Sequence, residues 1–155
     1  MVEAGIEDVE MLIAAVLHDT VEDTKTTLDE IEGLFGKRVR DLVAEVTDDK
    51  SLSKATRKRL QISHAKDISD DAKIIKMADK LHNLTSFTLS PPKDWSAERI
   101  QGYFVWSKAV LDNMKGVNQY LEDEITKLFN TRDFMKGDLD DLLNNYLSQM
   151  EIATD

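Results

Sequence analysis

Residues 73–84 read KIIKMADKLHNL, and this stretch decides the fold. Ile74, Ile75, Ala78, Leu81 and Leu84 recur at three- and four-residue intervals, the spacing of one face of an α-helix. Ser69, just upstream, is an N-cap residue for that helix. Inside the apolar stripe stands an aspartate, Asp79, beside Met77 and Ala78. A carboxylate buried without a partner is costly, so it calls for a cation or a hydrogen-bond donor. Asn83 follows one turn later on the same side, and Lys76 and Lys80 flank the face. Two readings fit. Asp79 completes a metal site while Asn83 reads a base or sugar, or Asp79 pairs with Lys76 or Arg59 and is structural.

Outward from this helix the pattern stays helical. Val9, Leu12, Ile13, Val16 and Leu17 predict a core face on a helix between Ile6 and Asp23. Thr27 with Glu30 makes a capping box for a short helix through Leu34, which Gly36 can close. Val39, Leu42, Val43 and Val46 mark another, stopped at Asp48-Asp49. The segment from Leu52 to Lys66 is basic and polar, with Leu60 and Ile62 as its apolar anchors. Pro91-Pro92 forces an extended break. Beyond it, Ser96 opens a helix carrying Ile100, Tyr103, Phe104, Trp106 and Val110 up to Gly116, and another runs from about Asn118 through Phe129. A last stripe holds Leu139, Leu142, Leu143, Tyr146, Leu147 and Met150. Nothing alternates with period two for long, so the expected fold is all-α, a single helical bundle.

A chain of 155 residues has the size of one domain. Its 30 acidic and 20 basic residues give a formal charge of −10. Such a surface repels a nucleic-acid backbone and draws metal cations, while a local lysine and arginine cluster can still hold a small phosphorylated ligand. The absence of cysteine excludes disulfides, thiol catalysis and cysteine-ligated zinc. No apolar run approaches the ~20 residues of a membrane span, and the acidic start lacks the order of a signal peptide. The expectation is a cytoplasmic protein with neither membrane nor nucleic acid as partner.

A second stretch, LHDTVEDT at 17–24, closes the first long helix. Residues four apart share a helix face, so His18 stands over Glu22 and Asp19 over Asp23. Imidazole nitrogen with carboxylate oxygen is a ligand set for Mn²⁺, Fe²⁺ or Zn²⁺, and the acidic pair one turn on can hold or deprotonate water. The plainer alternative is a solvated acidic helix end.

LHDTVEDT followed by KMADKLHNL resembles the HD-domain hydrolases of the RelA/SpoT family. FGKRVRDLVAEVTDDKS at 35–51, RKRLQ at 57–61 and WSAERIQGYFVWSKAVLDNMKGVN at 95–118 resemble its short metazoan SpoT-homologue branch. The resemblance runs from Ile6 to Arg132. It implies an HD domain over residues 1–132, with 133–155 as an additional amphipathic helix. It also implies one Mn²⁺ held by His18, Asp19 and Asp79, with Glu22 and Asp23 positioning and activating the attacking water. Asn83 would contact the nucleotide, Arg99 and Tyr103 would lie near its phosphates, and Lys54 would assist. For Arg99 and Tyr103 the residues alone leave open a surface salt bridge and a core aromatic.

The implied reaction removes the 3′-pyrophosphate of guanosine tetraphosphate, the stringent-response nucleotide, giving GDP and pyrophosphate. An NADPH 2′-phosphatase and a non-catalytic helical module that binds nucleotide or a partner are the alternatives. The family also carries an upstream metal-binding histidine, whereas the histidines here are His18, His64 and His82. The fourth protein ligand is therefore expected to be missing and hydrolysis impaired. Loss of upstream helices would expose an apolar patch, so the final stripe is expected to pack on the His18 helix or mediate self-association. Docking beside the preceding helix at Phe129 is the alternative.

Overall fold

Most helices here open on a side chain that satisfies their first free amides, which is why their starts are legible. Asp8 accepts from the amides of Glu10 and Met11, Thr27 from Glu30, Ser53 from Thr56, Ser69 from Ala72 and Ser96 from Arg99. The structure, a computed structural model, describes residues 1–130 and 137–152, without the side chains of Glu22 and Ile152. Among the described residues there are eight α-helices, a short 3₁₀ turn at Val2–Ala4 and no strand. The helices are α1 (Val9–Asp23), α2 (Leu28–Phe35), α3 (Lys37–Val46), α4 (Lys54–His64), α5 (Asp70–Leu89), α6 (Ala97–Asp112), α7 (Gln119–Asn130) and α8 (Leu139–Ile152). The all-α bundle expected from the periodicity is what forms. The division drawn at 132/133, and residues 133–136 and 153–155 beyond it, lie outside the described residues.

Helix α5 is the hub. It packs against α1 and α3 on one side and against α6 and α7 on the other, while α4, α6 and α8 form a further layer. Ile75, Met77 and Leu84 of α5 are fully buried, as are Val39 and Val43 of α3 and Phe104 and Val110 of α6. Arg38 ties the entrances of α1 and α5 to α3, reaching Asp8 at 2.7 Å, Asp71 at 2.9 Å and Glu10 at 3.3 Å.

Three expectations need correction. On α1, Val9 and Val16 are 65% and 78% exposed, and the buried residues are Met11 and Ala14. At about 100° per residue the two valines lie opposite that pair. The helix is apolar nearly all round, so periodicity alone could not choose the stripe. The segment from Leu52 to Lys66 is largely helix α4; its fully buried anchors are Ala55 and Ala65, Ile62 packs part-buried against the core as expected, and Leu60 is not part of that packing. It is held to α6 by Trp106 Nε1 donating to the Lys58 carbonyl (3.0 Å) and by Asn113 Nδ2 donating to the Ile62 carbonyl (2.7 Å). Finally, α8 packs on α4 and α6, neither on the His18 helix nor beside Phe129, whose ring meets Phe104 instead.

The α8 contact has a steric reason. Tyr146, Leu147 and Met150 are buried, whereas Leu139 at the start of the stripe is 37% exposed. Tyr146 packs closely against Gly102 of α6, where an added Cβ would collide with its Cβ, Cγ and Cδ1 atoms. Each fully buried large apolar side chain contributes ~1.5–3 kcal/mol, so three of them are enough to hold α8 down. Gly102→Ala should therefore destabilise the fold by about 1–3 kcal/mol despite the better helix propensity of alanine. Urea denaturation measures the loss, and hydrogen exchange should show amides of Leu139–Ile152 losing protection first.

Candidate active site

His18 sits on the buried side of α1, the side that faces α5. Its Nδ1 lies 2.5 Å from the Ala15 carbonyl oxygen, which can only accept, so Nδ1–H donates and the ring orientation is fixed. That leaves Nε2 aimed at two carboxylates, 3.1 Å from Asp19 Oδ1 and 3.4 Å from Asp79 Oδ1. Asn83, one turn along α5, donates from Nδ2 to Asp79 Oδ2 at 3.5 Å. Asp79 thus pairs with His18. Arg59, the alternative partner, pairs with Glu151 of α8 at 2.7 Å.

The electrostatics follow from this geometry. The Asp79 carboxylate, against the opposing effect of burial, raises the His18 imidazole to about 9, with help from the Ala15 carbonyl and Asp19. Burial pushes the Asp79 carboxyl up, but the His18 imidazole and the nearby Lys80 and Lys76 outweigh it, and the net direction is down. Among the described residues no group of three or more His, Asp or Glu is spaced as a metal cage. The donors contact one another, and the proton on Nε2 supplies the positive charge that a cation would bring. An imidazole nitrogen with two carboxylate oxygens 3.1 and 3.4 Å from it has the donor chemistry that suits a divalent ion.

His18, Asp19 and Asp79 line a cavity of about 90 Å³ together with Asp48, Gln61, Lys76 and Lys80. It adjoins a wider cavity of about 440 Å³ lined by Lys50, Lys54, Arg57 and Lys58, and Asp48 and Gln61 belong to both. Gln61 Nε2 donates to Asp48 Oδ2 at 2.7 Å and so fixes the shared edge. In a chain of charge −10 this basic wall is a local reversal of sign, able to hold an anion beside a cation.

The remaining candidates fall out as follows. Lys54 opens α4 and lines the basic cavity. Arg99 stacks on Trp95 at 4.0 Å, with no ion pair among the described residues. Tyr103 is only 8% exposed, its ring among Phe87, Trp95 and Trp106. Burial and the charge of Asp79 push its hydroxyl up to about 12. Asp23 ends α1, exposed and outside the lining of the His18 cavity, and the side chain of Glu22 lies outside the described residues. Sequence reasoning missed Asp48, Lys58 and Gln61. Lys54, Lys58 and Gln61 are spaced four and three apart, a helical face that was legible once this segment was read as a helix.

Residues 2–108 match a family model described as HD domain. The chain belongs to the HD domain family. Over 130 residues it is 52% identical to a guanosine-3′,5′-bis(diphosphate) 3′-pyrophosphohydrolase of Homo sapiens, covering 84% of this chain and 73% of that relative. The enzyme of the same name from Drosophila melanogaster is 51% identical over 131 residues, with the same coverage. A solved structure described as a metazoan ortholog of SpoT that hydrolyzes ppGpp superposes with a TM-score of 0.83 at 50% identity, covering 86% of this chain and 75% of that one. A Listeria monocytogenes protein of known structure matches with a TM-score of 0.66 at 28% identity, covering 91% and 88%. Among the described residues no helix of this HD domain is long and apolar enough to cross a membrane.

The His18–Asp79 pair gives a pH signature for the metal-free HD domain. A histidine raised from 6.5 to about 9 on folding stabilises fully below pH 6.5, and that contribution is lost as pH rises through about 9. Asp79→Asn should return His18 toward its ordinary value in an NMR titration, and should flatten the fall in thermal stability across this window.

Proposed function

We propose that this chain is a metal-dependent hydrolase that removes the 3′-pyrophosphate of guanosine tetraphosphate, releasing GDP and pyrophosphate. The observation that carries the reading is the convergence of His18 and Asp19 from α1 with Asp79 from α5, beside a wall of basic residues. It sits in a chain half identical to enzymes of that name.

In this reading His18, Asp19 and Asp79 hold one divalent ion, Mn²⁺ by its preference for mixed nitrogen and oxygen ligands. When bound, the ion supplies Lewis-acid polarisation of phosphoryl oxygens and a lower pKa for water. The other roles belong to the chain's own side chains. The Ala15 carbonyl keeps a proton on Nδ1 of His18, so that Nε2, on giving up its own proton, is the nitrogen that would face the ion. Asn83 holds the second oxygen of Asp79 and thereby the direction of the first. Glu22 and Asp23, at the end of the same helix, orient the attacking water and accept its proton. Lys54 in the basic wall, with Arg99, Tyr103 and Asn83, binds the nucleotide and its phosphates. His18 is the one histidine in the cluster, since His64 and His82 are exposed away from it.

The purified chain, incubated with Mn²⁺ and guanosine tetraphosphate, should release GDP and pyrophosphate in equal amounts, read by ion-exchange chromatography. Asp23→Asn should lower kcat by about 10²–10⁴-fold. Lys54→Met should chiefly raise KM. NADPH serves as the competing substrate. Phosphate release from NADPH with no turnover of guanosine tetraphosphate would overturn the proposal.

A further inference from the structure

One cation of the basic wall is held unlike the others. The ammonium of Lys58 lies 3.8 Å from the centroid of Trp106, 5.2 Å from that of Tyr146 and 5.5 Å from that of Tyr103. Two of these rings come from α6 and the third from α8. No carboxylate lies within ion-pair distance of Lys58 among the described residues. Asp48, at the shared edge of the two cavities, is the acidic group whose field reaches it. Around it stand Lys54 and Arg57 on α4, Arg99 on α6 and Lys80 on α5, all of its own sign. Lys80 is itself stacked on Trp106, at 3.7 Å.

Such an arrangement makes a poor structural element and a good anion contact. Aromatic faces offset part of the loss of hydration around an ammonium but do not replace a counter-ion. Desolvation, with the like charges nearby, draws the Lys58 ammonium down to about 7. Yet this lysine lines the wider cavity, next to the cluster of His18, Asp19 and Asp79. A phosphoryl oxygen arriving there would meet a charge already stripped of water and already oriented. Tyr146 completes the enclosure because Gly102 lets its ring lie against α6. The third ring of the cage thus depends on the docking of α8.

We propose that Lys58 is an anion-contacting residue of the site, taking a pyrophosphoryl oxygen, and that Tyr146 of α8 is the positioning residue that completes its aromatic cage. This deepens the hydrolase reading and rests on it for the identity of the natural ligand. It also gives α8 a part in binding, in addition to its part in stability.

The test uses inorganic pyrophosphate as the probe, titrated calorimetrically into the full chain and its variants, with thermal stability measured alongside. Lys58→Met should weaken pyrophosphate by about ten-fold, the loss of one charge-assisted contact, while leaving the melting temperature equal or higher. Tyr146→Ala should weaken it several-fold, and Tyr146→Phe, which keeps the ring and drops only the hydroxyl, should restore wild-type affinity. In turnover, Tyr146→Ala should move KM more than kcat. Undiminished pyrophosphate binding by Lys58→Met overturns the assignment of Lys58 and leaves the hydrolase reading standing. Equal losses for Tyr146→Phe and Tyr146→Ala overturn the cage. A wild-type chain inert toward guanosine tetraphosphate removes the hydrolase reading, while the pyrophosphate affinities still decide on Lys58.

Discussion

The constraint on which this structure depends is a carboxylate placed in the apolar face of its central helix. Asp79 lies on α5, the helix that touches α1, α3, α6 and α7. Left alone there it would be costly, and its partners are His18 and Asn83. That requirement fixes the rotation of α1. Once His18 must face α5, Met11 and Ala14 turn inward with it, and Val9 and Val16 must face out. An apolar helix with several equivalent stripes is thus oriented by the pairing of His18 with Asp79, with Arg38 holding its entrance to α3.

This explains why the fold was legible in the sequence and the packing of α1 was not. The helix boundaries were written in local signals: Ser69, Thr27 and Ser96 as caps, Gly36 as a stop, Pro91-Pro92 as a break. The cluster was legible too, because Asp79 in an apolar stripe and His18 beside Asp19 are anomalies that periodicity makes visible. The face that α1 buries is a tertiary matter, decided by a residue on another helix. The α4 segment failed for a different reason. Its buried anchors are alanines, which carry little hydrophobic signal, and its cohesion comes from Trp106 and Asn113 donating to its carbonyls. Backbone acceptors leave no trace in a side-chain pattern.

On the proposed reading, the distribution of charge selects ligands by class. An acidic surface around a basic wall disfavours a long phosphate backbone while leaving a short anion a place to dock. Beside the wall, the His18 cluster has the opposite preference, favouring a cation. The two cavities meet at Asp48 and Gln61, whose mutual hydrogen bond keeps the cation-seeking and anion-seeking halves in register. A ligand that carries phosphates and binds a divalent ion can satisfy both halves at once. An anion without an affinity for metal, or a metal alone, satisfies only one.

The position of α8 follows from the same arrangement. A helix seeking only apolar cover could have settled wherever the bundle left side chains such as Val9 and Val16 exposed. It settles instead on α4 and α6, where Gly102 leaves a notch of the right depth and Lys58 presents a cation to its tyrosine. Arg59 and Glu151 close the same contact from the solvent side. An exposed ion pair of this kind contributes at most ~1 kcal/mol, so its value lies in register more than in strength. What holds α8 in one place is the fit of Tyr146 into the notch, and that fit brings a third aromatic ring to the part-buried ammonium of Lys58 in the basic wall.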